Sequence, residues 1–402
     1  MRKVRYNLLE DGSSVKDAIN SVVERGPRDD PVHILDLDDV VAKHRVWREM
    51  LPRVETFYAV KCNDHPAVLR TLFALGTGFD CASRREIEKI IDLGADPSRI
   101  IFAHTTKSIS SITFAKQCGI ELLTFDGEIE LDKIKQFHPG ASLVLRIRYD
   151  SDKALISLGK KFGCHPKQEG PQLLEYAKEL GLNVIGISFH VGTGSSDHEC
   201  FYGAIESARE LFEFAKTIGF NFSLLDIGGG FPGDHDKPIN LYAETINSSL
   251  QRFFPVGSNV RIIAEPGRYY VASAVTLIAN VHSKRIVRNP QGAVSEMMYY
   301  LNDGMYGSFD GWNPRTHPPL VISASRDIAR SPERFPTVLW GPTCDSVDLI
   351  SSGLLMEELQ IGDFLVFDDM GAYGMAVATN FNGFAKPRVL VYISRRTWEQ
   401  LK

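Results

Sequence analysis

From about residue 56 onward the chain alternates short apolar, β-branched runs with longer amphipathic segments. The apolar runs are Thr56–Lys61, Gly78–Ala82, Arg99–His104, Leu122–Phe125, Leu143–Arg148, Val184–His190, Leu224–Ile227 and Arg261–Glu265. The segments between them carry helical signals. Ser83-Arg84-Arg85-Glu86 has the spacing of a capping box, followed by Ile87, Ile90 and Ile91 and a terminating Gly94. Between Asp197 and Gly219, the residues Phe201, Ile205, Ala208, Leu211 and Phe212 recur at helical spacing. Strands that are apolar on both faces and alternate with helices predict a buried parallel sheet. Eight such units predict an α/β fold of the closed (β/α)₈ TIM-barrel type, with a doubly wound open sheet as the alternative.

The texture changes after Tyr270. Ala272–Val281, Ala293–Leu301, Pro336–Trp340, Asp363–Phe367 and Arg388–Ser394 read as strands between loops rich in Gly, Pro and Asp. They predict a mainly antiparallel β domain, to which Met1–Leu9 adds a strand. Ser14–Asp30 reads as a polar linker ending in Gly26-Pro27-Arg28-Asp29-Asp30. The predicted organisation is a cofactor-binding barrel over 31–271 and a β-sheet domain made from 1–30 and 272–402.

Composition narrows the function. The 402 residues are 44% hydrophobic and 24% charged, which excludes disordered, collagenous and coiled-coil proteins. Lys+Arg number 45 against 50 Asp+Glu, a net charge of −5. No basic field exists to hold phosphate backbones, so nucleic acid is not an expected partner. The six cysteines show no CxxC or finger-like spacing, so neither a metal site nor a disulfide scaffold is expected. Met1–Asp11 lacks the apolar stretch of a signal peptide. No apolar run reaches the roughly 18 residues of a membrane span. A soluble cytoplasmic protein without a membrane partner is the expectation.

Polar residues close the apolar runs, and barrel active sites lie at the C-terminal ends of the strands. Lys61 ends Thr56-Phe57-Tyr58-Ala59-Val60-Lys61. It is either a solvated strand-end lysine or a Schiff-base lysine whose amine loses its proton when desolvated. Asp80 ends the next run, where it could also cap a helix. His190 is followed at once by Val191-Gly192-Thr193-Gly194-Ser195-Ser196, which favours a ligand-facing ring. Asp226-Ile227-Gly228-Gly229-Gly230 places three glycines after the seventh run. Barrels often bind phosphate there, and glycine lets backbone N–H groups approach an anion closely. Glu265-Pro266-Gly267-Arg268 sets a carboxylate and a guanidinium three residues apart. They form either a plain ion pair or contacts to two poles of one cofactor.

Six motifs in order then resemble the eukaryotic-type ornithine decarboxylases, within the pyridoxal phosphate-dependent group that includes diaminopimelate and arginine decarboxylases. The motifs are Tyr58-Ala59-Val60-Lys61, His190-Val191-Gly192-Thr193-Gly194, Gly228-Gly229-Gly230, Glu265-Pro266-Gly267-Arg268, Gly341-Pro342-Thr343-Cys344-Asp345 and Asp369-Met370-Gly371-Ala372-Tyr373. The resemblance runs from about Asp36 to the C-terminus. It implies a barrel that binds pyridoxal phosphate, a β domain, and a head-to-tail homodimer with active sites at the subunit interface. It also implies roles. Lys61 would form the Schiff base, His190 would stack on the ring, and Glu265 would pair with the ring nitrogen. Thr193, the backbone of Gly228–Gly230, Gly267, Arg268 and Tyr373 would hold the phosphate. Asp80 and Arg146 would support Lys61 and the ring face. Cys344 and Asp345 would reach in from the other subunit, with Tyr306 and Phe381 near the substrate.

Two stretches depart from the family. Its Tyr-Asp-His-Ala element, whose Asp holds the distal amine of the substrate, is missing after Tyr306-Gly307-Ser308-Phe309. Asp310, Trp312 and Arg315 stand there instead. Ala103-His104-Thr105-Thr106-Lys107 replaces the usual Asn-Pro-x-Lys, with no assignable effect. Thr193 stands where serine is usual. The chain stops soon after Trp398, without the long degradation-signal tail of vertebrate members. The expected activity is decarboxylation of an L-amino acid, first L-ornithine to putrescine in polyamine biosynthesis. The altered loop leaves lysine, arginine, leucine or an aromatic amino acid open. A catalytically inactive regulator resembling the antizyme inhibitors is a further alternative, and an antizyme-like protein is a possible partner.

Overall fold

The computed structural model describes residues 4–10, 12–149, 159–192, 197–309, 319–323 and 332–402. The chain begins with β1 (Tyr6–Leu9), a helix over Val15–Glu24 and β2 (Val32–Asp36). Eight short strands follow: β3 (Val54–Ala59), β4 (Gly78–Cys81), β5 (Ile100–Phe102), β6 (Leu122–Phe125), β7 (Ser142–Arg148), β8 (Asn183–His190), β9 (Leu224–Asp226) and β10 (Arg261–Ala264). Every neighbouring pair is parallel, and β10 pairs with β3 to close the barrel. The alternation of apolar runs and helical segments is therefore the predicted (β/α)₈ barrel, not an open sheet.

Phe57, Ile101, Val144, Leu224 and Ile263, from five of the strands, meet in one buried cluster. The helices present apolar stripes to the sheet. Helix Cys200–Thr217 buries Phe201, Ala204, Ile205, Ala208, Leu211, Phe212 and Ala215. Helix Arg84–Ile91 starts as its capping residues predict. The Ser83 hydroxyl accepts the Glu86 N–H, while the Glu86 carboxylate accepts the Ala82 N–H at 2.6 Å. The departing Ala103–Lys107 segment has a structural role. The Lys107 amine is buried, lies 2.9 Å from Glu130, and donates to the carbonyls of Thr124 and His104. Burial lowers its pKa to about 8.

The second unit comprises the described residues up to Val40 and Val271–Lys402; the barrel unit is Val41–Tyr270. The second unit contains β11 (Val275–Arg288), β12 (Val294–Leu301), β13 (Leu320–Ile322), β14 (Arg334–Trp340), β15 (Leu349–Glu357), β16 (Phe364–Phe367) and β17 (Arg388–Ser394). Strand β11 pairs antiparallel with β2, β12 and β16, as do β14 with β15 and β13 with β16. The pairs β1–β17, β2–β17 and β12–β14 are parallel, so the sheet is mixed. The N-terminal segment does add a strand.

Three local readings need correction. Ser14–Asp30 is not a linker throughout, because Val15–Glu24 is a helix that buries Ala18 and Val22 against Val32, Ile34, Ile278, Phe364 and Val366. Its apolar residues Val15, Ile19, Val22 and Val23 lie at helical spacing, masked by the polar residues around them. Strand β2 joins the mixed sheet, because its edges are taken by β11 and β17. Strands β13 and β15 were not anticipated, since Ser351-Ser352-Gly353 interrupts the apolar run of β15. Among the described residues no helix is long and apolar enough to cross a membrane.

Closure of the barrel depends on a small residue at position 186. A Cβ on Gly186 would lie 2.0 Å from the Leu224 carbonyl oxygen on the neighbouring strand. Gly186→Ala should therefore lower the unfolding free energy by about 1–3 kcal/mol, the usual cost of overpacking. Gly140→Ala, whose Cβ would meet nothing within 4 Å, is the matched control. Equal urea midpoints for the two variants would show that the barrel accommodates the methyl group.

Candidate active site

The polar residues singled out in the barrel sit where its strands end. Strand β3 stops at Ala59, and Lys61 occupies a single 3₁₀ turn, Val60–Cys62, instead of the strand itself. The turn is held against the end of β10. The Ala59 N–H donates to the Pro266 carbonyl, and a Cβ on Gly267 would lie 2.8 Å from the Cys62 Cβ. The Lys61 amine forms an ion pair with Asp80 Oδ2. Asp80 is fully buried on β4 and does not cap the next helix, which Ser83 does. Its other oxygen, Oδ1, is shielded and has no hydrogen-bond partner.

His190 closes β8. Its Nδ1 accepts the Gly192 N–H at 3.1 Å, which leaves the ring proton on Nε2. Burial, with the charges of Arg146 and Lys61, pushes its pKa down to about 3. The imidazole is therefore neutral at physiological pH. Arg146, on β7, lies over the Phe162 ring at 5.4 Å.

Glu265 follows β10 directly. Burial is the largest influence on its carboxyl and raises its pKa well above the carboxylate range. Asp226 and Asp80 push in the same direction, against Lys61 and Arg146. Its Oε1 is shielded from water and has no hydrogen-bond partner. Asp226, the last residue of β9, was read only as the lead into the glycine loop. It is fully buried, hydrogen-bonded to the Glu265 carboxyl, and raised to about 7, mainly by burial. The available signal was an acid closing an apolar strand, as Asp80 does.

The three glycines are required by space. A Cβ on Gly228 would lie 2.0 Å from the Phe189 carbonyl oxygen, and one on Gly229 would lie 2.8 Å from His190 Nε2. On Gly230 it would lie 2.7 Å from Val191 Cγ2, at a left-handed φ of 108°. The Gly228 N–H is already given to Asp226 Oδ1 at 2.8 Å, so it is not available to an anion. Among the described residues, no acceptor is found for the N–H groups of Gly229 and Gly230. Arg268 opens the short helix Arg268–Val271 just after Gly267. Thr193 lies outside the described residues.

In the second unit, the other candidates cluster. The Tyr306 hydroxyl donates to Asp345 Oδ2, and the Tyr306 and Phe381 rings lie 4.5 Å apart. The Tyr306 hydroxyl also holds the Asp345 carboxyl below its ordinary range. Cys344 is exposed, and its N–H donates to Asn382 Oδ1. The buried carboxylate of Asp348, not anticipated, ties these loops together. It accepts the Met305 N–H, the Thr343 N–H and the Thr343 hydroxyl. A Cβ on Gly304 or on Gly341 would lie 2.2 Å from its Oδ1, so both loops need glycine there. Tyr373 holds a left-handed φ of 60°. Asp310 and Trp312 lie outside the described residues.

The barrel residues fit pyridoxal phosphate. A carboxylate oxygen without a donor suits a protonated ring nitrogen. A neutral imidazole suits the face of a cationic ring. A glycine cradle with available N–H groups suits a phosphate, and a strand-end lysine suits an aldehyde.

Comparison with known proteins points the same way. Residues 37–272 match the family model described as pyridoxal-dependent decarboxylase, pyridoxal binding domain. The chain is 44% identical to ornithine decarboxylase of Rattus norvegicus, over 98% of this chain and 88% of that one. It is also 44% identical to antizyme inhibitor 2 of Xenopus laevis, over 99% and 89%. Among solved structures it resembles the arginine decarboxylase of Paramecium bursaria Chlorella virus bound to agmatine. That match has a TM-score of 0.86 at 40% identity, covering 93% of this chain and 99% of that one. With the family model spanning more than half its length and such relatives along nearly all of it, the chain belongs to the pyridoxal-dependent decarboxylases.

Proposed function

We propose that this enzyme decarboxylates L-ornithine to putrescine, with the barrel residues holding pyridoxal phosphate and a second subunit completing each site. The observation that carries the reading is the set of strand-end groups around Glu265: a shielded acceptor, a neutral histidine and a lysine paired with a buried aspartate. When bound, pyridoxal phosphate supplies an electron sink for the pair released as CO₂ leaves Cα.

The chain's own residues do the rest. Lys61 Nζ, once deprotonated, would bond the cofactor's aldehyde carbon with the aldehyde oxygen leaving as water, and Asp80 orients that amine. Glu265 Oε1 would accept from the ring nitrogen, whose positive charge a carboxylate favours. His190, being neutral, would pack on the ring without opposing that charge. The Gly229 and Gly230 N–H groups and Arg268 would take the phosphate, with Gly267, Thr193 and Tyr373 as further contacts. Arg146 would steady the ring face. Cys344 Sγ would return a proton to the substrate's Cα. Asp345, aligned by Tyr306 beside Phe381, would meet a cationic substrate tail.

The exposure of Cys344, next to the Thr343 that buried Asp348 holds, and of Phe381 supports a role for these residues in a homodimer. Likeness to an antizyme inhibitor makes an antizyme-type protein a candidate regulator. The six free cysteines favour a reducing compartment such as the cytoplasm. A second reading, arginine as substrate, draws on the likeness to the viral arginine decarboxylase and on the missing Tyr-Asp-His-Ala element. A CO₂-release assay on ornithine, arginine, lysine and leucine separates the two. Preference for arginine would replace the ornithine assignment.

Lys61→Ala should lose the bound cofactor's visible band and reduce turnover by orders of magnitude. Full activity with an unchanged band would refute the Schiff-base role. Mixing inactive Lys61→Ala and Cys344→Ala protomers in equal amounts should restore about a quarter of wild-type sites, because half of randomly paired dimers carry one intact site. No recovery, with subunit exchange confirmed, would mean that each site comes from one chain. Asp345→Ala should raise KM for ornithine by about tenfold or more while changing kcat less, as loss of a contact kept throughout the reaction does. An unaltered KM would remove Asp345 from the substrate site.

A further inference from the structure

Glu265 belongs to a closed ring of hydrogen bonds. Asp226 Oδ1 accepts the Gly228 N–H at 2.8 Å, the Gly228 carbonyl accepts the Glu265 N–H at 2.7 Å, and the Glu265 carboxyl returns to the Asp226 carboxyl. The ring joins the end of β9 to the end of β10, whose pairing sets Asp226 beside Ile263. Two neighbouring carboxylates in a shielded site disfavour a double negative charge, so a proton held by one of them is the favoured state. With Oδ1 engaged by Gly228, Asp226 Oδ2 is shielded and has no partner among the described residues. Glu265 Oε1 is likewise without a donor.

We propose that Asp226 is a positioning residue for Glu265. It holds a carboxyl proton and donates it to the Glu265 carboxylate, which leaves Oε1 as an acceptor for the cofactor's ring nitrogen. This rests on the assignment of Glu265 to that nitrogen. Glu265 becomes the anion when a protonated nitrogen stands at Oε1, because an opposite charge stabilises the ionised form. Asp226 then keeps the proton of the pair. Through Gly228, the same residue also fixes the first glycine of the phosphate cradle. Asp226 therefore couples the two ends of the cofactor site.

Two isosteric amides test this on the holoenzyme. Asparagine at 226 can donate to Glu265 and accept from Gly228, so Asp226→Asn should retain at least about a third of wild-type kcat. Asp226→Ala breaks both bonds and should lower kcat about 10–100-fold, the scale of one charge-assisted hydrogen bond. It should also speed loss of the cofactor's visible absorbance during dialysis by about tenfold or more, whereas Asp226→Asn should not. Glu265→Gln, which cannot become an anion, should lower kcat about 100-fold. If Asp226→Ala fails to fold, the Asn and Gln variants still decide. A folded Asp226→Asn enzyme that loses kcat about 100-fold and sheds cofactor quickly would overturn the proposal, because Asp226 would then be needed as an anion. A Glu265→Gln enzyme with wild-type kcat would instead overturn the parent assignment of Glu265.

Discussion

Crowded charge at the ends of the barrel strands is the constraint on which the site depends. Closure of β10 onto β3 brings the ends of β3, β4, β8, β9 and β10 around one space. At or just past those ends stand Lys61, Asp80, His190, Asp226 and Glu265. In water these would titrate independently. Removed from water, each depends on the others, because Coulomb interactions strengthen as the effective dielectric falls.

The structure meets this crowding in three ways. Lys61 and Asp80 neutralise one another as an ion pair. His190 gives up its positive charge, because burial and the nearby cations make protonation unfavourable. Burial raises the carboxyl pKa of both Asp226 and Glu265, which disfavours two negative charges side by side. Among the described residues, Asp80 Oδ1, Asp226 Oδ2 and Glu265 Oε1 are left shielded without a donor, and the Gly229 and Gly230 N–H groups are left without an acceptor. That is the electrostatic shape of a site for a cationic ring with an anionic tail. The glycines matter as much as the charges, since a methyl group at 229 would meet the His190 ring.

The second unit shows a related economy with different means. Asp348 is buried without a cationic partner among the described residues, yet three donors from two loops satisfy it. Those bonds pin both loops to one carboxylate. Cys344, Asp345 and Tyr306 are thereby held in fixed geometry while Cys344 remains exposed.

Much of this was legible in the chain. Apolar runs at a regular spacing marked all eight barrel strands, since a buried parallel strand needs apolar residues on both faces. The motifs at their ends marked Lys61, His190, Glu265 and the glycines. The helix over Val15–Glu24 was hidden because its apolar stripe is narrow and gains its stability only by packing on β2, β11 and β16. Strand β15 was hidden because a strand broken by Ser351-Ser352-Gly353 owes its form to pairing with β14. Asp348 was passed over because nothing local distinguishes a buried acid from a solvated one, and Asp226 because its strand-end position was read only as the lead into the glycines. Local pattern by itself determined the order of elements and the kinds of chemistry available, because periodicity and residue type act over a few residues. Tertiary structure alone decided which acids stand side by side, which N–H groups stay available and which loops are tied together, because those depend on distances between residues far apart in the chain.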